Sequence, residues 1–219
     1  MNKLLAGITF IFLCATVDAS NDYYSTLKKE ASSGSVDAQY KLGKTYMLTS
    51  GDYSKAFYWL NKSAEQGNIE AQYNVGLLYY YGQGVKRNVN ESIMWWRKAS
   101  EAGHPIAQND LAMMYKNETP ITKCGEIVSL LNQSAKRGYE LAYLNIGNLY
   151  SSGVCVDKQM REAIKWWEKA SEKNNGQAEF NLAVVYKNGD GVIANSSMSD
   201  MYFRKSCEDG YSEACSVIK

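Results

Sequence analysis

The 219-residue chain sets 24 lysines and arginines against 23 aspartates and glutamates, for a net charge of +1. So even a balance supplies no electrostatic drive toward nucleic acid or an anionic membrane surface. Aromatic residues are 12% of the chain, with 17 tyrosines. That content excludes a disordered polymer and suits a chain that buries many small interfaces.

The amino end is set apart from the rest. Asn2-Lys3 is a short basic start, residues 4–16 are apolar, and Val17-Asp18-Ala19 places small residues where a signal peptidase cuts. Residues 1–19 therefore read as a secretory signal, which predicts a periplasmic or secreted protein with no membrane insertion after cleavage. The apolar run is too short to span a bilayer. Leu13 precedes Cys14 where a lipoprotein signal needs a small residue. Four cysteines remain after cleavage, an even number in an exported chain, which predicts two disulfides. Cys207 and Cys215 flank the turn Glu208-Asp209-Gly210 and would tie the end of one helix to the start of the next. Cys124 precedes a helix and Cys155 lies in a loop one repeat later. Stacked repeats could bring these two together, but sequence alone leaves that geometry open. With one histidine, His104, and no CxxC, no metal and no cofactor is expected.

The mature chain is a repeat. Ala38, Ala71, Ala107, Ala142, Ala178 and Ala214 recur at a spacing of roughly 33–37 residues, the range of helical repeat arrays. Tyr46, Tyr79, Tyr115, Tyr150 and Tyr186 follow in register, and Gly34, Gly67, Gly103, Gly138 and Gly210 close the units. Residues 20–34 are a half unit, with Leu27 and Ala31 matching Leu60 and Ala64, and read as an amino-terminal cap. The first full unit is 35–67, with a first helix from Asp37 to Leu48, the loop Thr49–Asp52 and a second helix from Tyr53. Ala38, Leu42 and Tyr46 step by four and share one helix face. A small residue recurs beside that face at Gly43, Gly76, Ala112, Gly147 and Ala183. Such a slot lets a partner helix come close. The large residue expected opposite it is Trp59, Trp95, Leu130, Trp166 or Tyr202.

The second unit, 68–103, ends its first helix at Gly82-Gln83-Gly84-Val85, with Gly82 as a left-handed cap. No strand precedes this GxG, so it is not a phosphate loop. The third unit, 104–138, diverges most: His104-Pro105 opens it, Asn117-Glu118-Thr119-Pro120 replaces the glycine loop, and Leu130-Leu131 replaces the paired tryptophans. The fourth, 139–175, returns to pattern, with Asn174 in the closing-glycine slot. The fifth, 176–210, carries Gly189-Asp190-Gly191-Val192, and residues 211–219 read as a carboxyl-terminal cap. Helices of about 12 residues are marginal alone, so they persist by stacking as an α-solenoid.

These residues resemble the SLR (Sel-1-like repeat) family, a relative of the tetratricopeptide repeats. Ala71, Val75, Gly76, Tyr79, Gly82, Gly84, Val85, Trp95, Ala99 and Gly103 carry the family pattern, and Ala142, Ile146, Gly147, Tyr150, Gly153, Val156, Ala163, Trp166 and Ala170 carry it again. The resemblance implies an all-α, right-handed superhelical solenoid that acts as a scaffold for protein–protein contacts, usually without enzyme activity. Exported members are envelope or host-facing adaptors. The spacing of Cys207 and Cys215 also resembles that of the cysteine-rich SLR proteins, some described as penicillin-binding or beta-lactamase-like.

In related solenoids the first helices line the concave face. Tyr40, Tyr73, Asn109, Leu144 and Phe180 are expected there, pointing away from the second helix, with Leu77, Met113 and Val184 one turn on and Tyr80 beyond. A solvated wall should be polar, whereas this one is largely apolar, so it reads as the binding surface for a segment of a partner protein, the alternative being tight superhelical curvature that packs these side chains on one another. The chain is expected to be a monomer. An immunity role against a toxin would look the same. The enzyme alternative rests on Ser25-Thr26-Leu27-Lys28, an SxxK match with no SDN or KTG companion, and no catalytic residue is assigned.

Overall fold

The computed structural model describes residues 22–118 and 122–218; the expected signal segment, 1–19, lies outside them. The described chain is helical and without strands. Helix α1 (22–32) is followed by α2 (Val36–Thr45), α3 (Tyr53–Glu65), α4 (Ile69–Tyr81), α5 (Val89–Glu101), α6 (Pro105–Glu118), α7 (Cys124–Lys136), α8 (Glu140–Ser152), α9 (Met160–Ser171), α10 (Gly176–Asn188), α11 (Ser196–Glu208) and α12 (Ser212–Val217). Contacts divide the chain into two compact units, with the division between Ala99 and Ser100, inside α5.

Four of the first helices, α2, α4, α6 and α10, start with the same chemistry. A side chain three residues before the repeated alanine accepts that alanine's N–H: Ser35 Oγ from Ala38, Asn68 Oδ1 from Ala71, His104 Nδ1 from Ala107 and Asn175 Oδ1 from Ala178. The bond satisfies one of the orphan donors of a helix start. His104 is thus a buried cap. Where the closing glycine is missing, Asn174 takes the left-handed conformation, φ 59°. The first unit differs from its expected outline. Helix α2 stops at Thr45 and continues as a π-helical turn, Tyr46–Ser50, so that only Gly51-Asp52 links it to α3. Thr49 Oγ1 and Ser50 Oγ donate to the carbonyls of Thr45 and Tyr46, drawing the chain out of the regular ladder.

Within a pair, the small slot meets a large side chain, but a different one from that expected. A Cβ on Gly76 would lie 2.3 Å from Trp96 Cδ1, one on Gly147 2.5 Å from Trp167 Cδ1, and one on Gly43 2.6 Å from Leu60 Cγ. The second residue of each doublet therefore fills the slot. Trp59 and Trp166 turn outward and are half-buried. The reason lies in the helix: adjacent residues sit about 100° apart, and only one of them can face the partner. Lysines three residues on lie over the first ring of each doublet, Lys62 Nζ 5.5 Å from the Trp59 centroid, Lys98 4.2 Å from Trp95, which is itself buried, and Lys169 4.1 Å from Trp166.

Successive pairs are joined by two devices. The first is a side-chain amide: Gln39, Gln72 and Gln108 donate through Nε2 to the carbonyls of Ala31, Ala64 and Ser100, each eight residues back at the end of the preceding helix. In the fifth repeat this slot holds Glu179, which has no proton to give when ionised. Lys205 takes over, its Nζ 2.8 Å from the Ser171 carbonyl and 2.8 Å from Glu179 Oε1. Burial raises the Glu179 carboxyl above the ordinary glutamate range, against the opposing pull of Lys205.

The second device is the loop. A Cβ on Gly84 would sit 2.0 Å from the Tyr53 carbonyl oxygen, at the start of α3. Gly191 presses likewise on Met160, the first residue of α9. In the fourth repeat the corresponding residue is Cys155, left-handed at φ 66°, and it is bonded to Cys124, the first residue of α7. The bridge occupies the contact that a glycine makes elsewhere. The other disulfide, Cys207–Cys215, joins α11 to α12. Neither unit has a single centre. Small cores lie between successive helices, such as Leu27, Ala31, Ala38 and Leu42, then Ala56, Leu60, Val75 and Leu78.

Urea unfolding tests these contacts. Gly76→Ala drives a methyl into Trp96 and destabilises by about 1–3 kcal/mol, whereas Gly125→Ala, with open space around its Cβ, gains about 0.5 kcal/mol. Combining Cys124→Ser with Cys155→Gly costs about 3–4 kcal/mol through loss of the bridge, and replacing that glycine by alanine costs about 1 kcal/mol more, because a left-handed residue then carries a Cβ. Lys205→Met strands the Glu179 charge and costs about 3 kcal/mol. A carboxyl that holds its proton more tightly in the folded chain contributes most at low pH and loses that contribution as pH rises through the raised value. Glu179→Gln should therefore gain relative to wild type as pH rises from the ordinary glutamate range toward neutrality. A constant difference across that range would refute the assignment.

Candidate protein-binding surface

The expected binding residues fall into two groups, one in each unit. In the first unit Tyr73, Leu77 and Tyr80 lie three and four residues apart and share one stripe of α4. All three are half-buried. The two tyrosines do not point away from the second helix. The Tyr73 ring stacks on Trp96 of α5 at 6.3 Å, the Tyr80 ring lies 5.5 Å from the same indole, and Trp96 Nε1 donates to the Tyr73 carbonyl at 3.2 Å. Trp96 is thus the base on which the two tyrosines stand, and their outer edges remain open. Tyr81 extends the cluster, edge-on to Tyr80 at 4.9 Å and 63% exposed. Arg87 closes it, its Nε donating to the Tyr80 carbonyl. Neither Tyr81 nor Arg87 was expected. The sequence signal was available in the run Leu77–Tyr81, which leaves α4 no polar side in its second half. Tyr40 lies apart from this cluster, packed half-buried on the core around Ala56 and Leu60.

In the second unit the expected row is not assembled as a surface. Asn109 is 3% exposed and Leu144 4%, so the expectation that they face a partner is corrected. Asn109 Oδ1 accepts from Asn145 Nδ2 at 2.8 Å, and Leu144 is part of the core around Ile164 and Trp167. Packing of one pair on the next covers both positions. Phe180 and Val184 are half-buried against α11 and the last residues of the described chain, with the Phe180 ring 5.5 Å from Phe203 and 5.2 Å from Tyr211. Met113 remains half-exposed on α6.

The residues of the enzyme alternative are occupied elsewhere. Ser25 Oγ donates to the Asp22 carbonyl, and Lys28 Nζ lies over the Tyr24 ring at 4.3 Å. Among the described residues no group of three His, Cys, Asp or Glu side chains could hold a metal ion, and no helix is long and apolar enough to cross a membrane. The two disulfides fit an oxidising, exported compartment.

The Sel1 repeat family matches residues 36–68, 69–104, 105–123, 140–175 and 176–211. Among solved structures, a protective antigen of uropathogenic Escherichia coli displaying an SLR fold is 31% identical over 89% of this chain and 43% of its own, with a TM-score of 0.83. A Sel1 repeat protein from Oxalobacter formigenes is 26% identical over 91% of this chain and 84% of its own, with a TM-score of 0.80. Both likenesses show the all-α solenoid fold. Among curated proteins, chitin synthase regulatory factor 3 of Schizosaccharomyces pombe is 30% identical over 123 residues, 50% of this chain. The chain spans only 13% to 22% of the length of the curated relatives it matches. Sel1 repeat proteins act as protein–protein interaction scaffolds and are generally non-enzymatic. With five matched segments and the fold of solved SLR proteins, this chain belongs to the Sel1 repeat family.

Proposed function

We propose that the protein is an exported adaptor that holds a segment of a partner polypeptide against the Tyr73–Leu77–Tyr80 stripe of its first-helix face. The observation that carries this reading is α4 itself. One side of the helix is buried through Ala71, Val75 and Leu78, and Gly76 lies against Trp96, yet a third side is still apolar and half-open. A helix with apolar residues all round is ordinarily enclosed on every side. Large aromatic side chains already ordered by their neighbours lose little conformational freedom on binding, which is what an anchor for a partner requires. The disulfides and the expected signal segment support action outside the cytoplasm.

Mature protein used as bait in an envelope extract tests the proposal. Tyr73→Ala combined with Leu77→Ala should reduce recovery of the bound polypeptide at least tenfold, whereas Tyr58→Ala, an exposed aromatic on α3, should leave it unchanged. Equal recovery by all three proteins would remove the α4 stripe as the binding surface. The identity of the polypeptide separates an adaptor from an immunity role: an envelope sensor supports the first, a toxin the second.

A further inference from the structure

The fourth repeat breaks the rule that joins its neighbours. Where Gln39, Gln72 and Gln108 reach back to a helix-end carbonyl, this repeat has Tyr143. Its ring turns instead onto Trp166 of α9, 6.0 Å between centroids and 26° from parallel. A groove of about 450 Å³ opens there between the ends of α7 and α9, with these two rings among its walls. That volume lies within the roughly 300–1,000 Å³ of sites that enclose a small ligand or a few side chains.

Lys136, Lys169 and Lys173 line the groove against a single acid, Glu172, so three positive charges and one negative leave +2, where the whole chain has +1. Corresponding positions elsewhere carry less positive charge, at most +1 around α5 and α7 (Glu101, Gln133, Lys136 and Arg137). Around α3 and α5 they are Glu65, Lys98, Glu101 and Ala102, which sum to −1; around α9 and α11 they are Glu172, Lys205, Glu208 and Asp209, which sum to −2. The Lys136 slot holds glutamate in the other four repeats, at Glu65, Glu101, Glu172 and Glu208. Lys136 and Lys173 are exposed, and Lys169 lies over the Trp166 ring. An aromatic wall rimmed by ammonium groups recognises carboxylates flanking a planar or apolar side chain.

We infer that this groove is a second binding site, distinct from the α4 stripe, for an acidic segment of a partner protein that carries an aromatic residue. The carboxylates pair with Lys136 and Lys173 while the aromatic side chain lies along Trp166 and Tyr143.

Fluorescence anisotropy on the mature protein tests this with a fluorescein-labelled peptide of sequence Glu-Asp-Phe-Glu-Asp and its basic twin Lys-Arg-Phe-Lys-Arg. The acidic peptide should bind and the basic one should not. Lys136→Glu combined with Lys173→Glu, which restores the residue type of the other repeats at the first position, should weaken binding at least tenfold with the thermal midpoint unchanged. Trp166→Leu should weaken it about as much. Tyr73→Ala combined with Leu77→Ala should have no effect, which separates this site from the adaptor surface. Absence of binding, equal binding of both peptides, wild-type affinity in the lysine double variant, or loss of affinity only in the α4 variant would each overturn the assignment.

Discussion

The close approach of the two helices in each pair is the constraint on which the structure rests. At Gly76 and Gly147 there is no room for a methyl group because an indole already occupies it. Once the helices are that close, the alanines of both, such as Ala71 and Ala99, can be fully buried, and the remaining apolar side is left for the next pair. Short helices that would be marginal alone acquire their stability from two neighbours at once. The core is therefore distributed between pairs, and no single cluster decides folding.

On that frame, polar groups fix how the two helices of a pair meet. Ser63, Ser134 and Ser206 donate to the first-turn carbonyls of Val36, Pro105 and Gly176, 27 to 30 residues away, and alanine holds the same slot in the second and fourth repeats. The glutamine-to-carbonyl bonds do comparable work between successive pairs. Each departure from these rules has a local counterpart. Glu179 brings Lys205 inward, Cys155 brings Cys124, and Tyr143 brings an aromatic stack in place of a hydrogen bond. Individual character enters the array at these positions, while the repeated alanines and glycines keep the geometry common.

The repeat, its glycine helix caps and its small slot were legible in the sequence because each depends on a residue type that few others can replace, and several copies agree in register. Asn174 in a glycine slot is one such case. What could not be read was direction. Trp95 and Trp96 are equally good core residues, and only the rotation of the helix decides which meets Gly76. The burial of Asn109 and Leu144 likewise depends on how the next pair lies across them, a contact between residues 36 apart for Asn109 and Asn145. The α4 stripe was visible as a run of apolar residues, but its support by Trp96 was not. The groove beside Tyr143 was missed because a tyrosine in an aromatic-rich chain raises no alarm until its glutamine equivalents are seen to have a shared task.

Both disulfides lie between Cys124 and Cys215, and among the described residues none lies in the first unit. Arrays of this kind open locally, and fraying spreads from one helix to the next. The Cys124–Cys155 link couples the third repeat to the fourth and restrains the opening of either, and Cys207–Cys215 clips the last helix to its neighbour. The amino-terminal repeats have no such covalent restraint. Amide exchange should thus be graded along the chain, fastest in α1 and α2, and a thiol reductant would level the gradient by loosening the slow half alone.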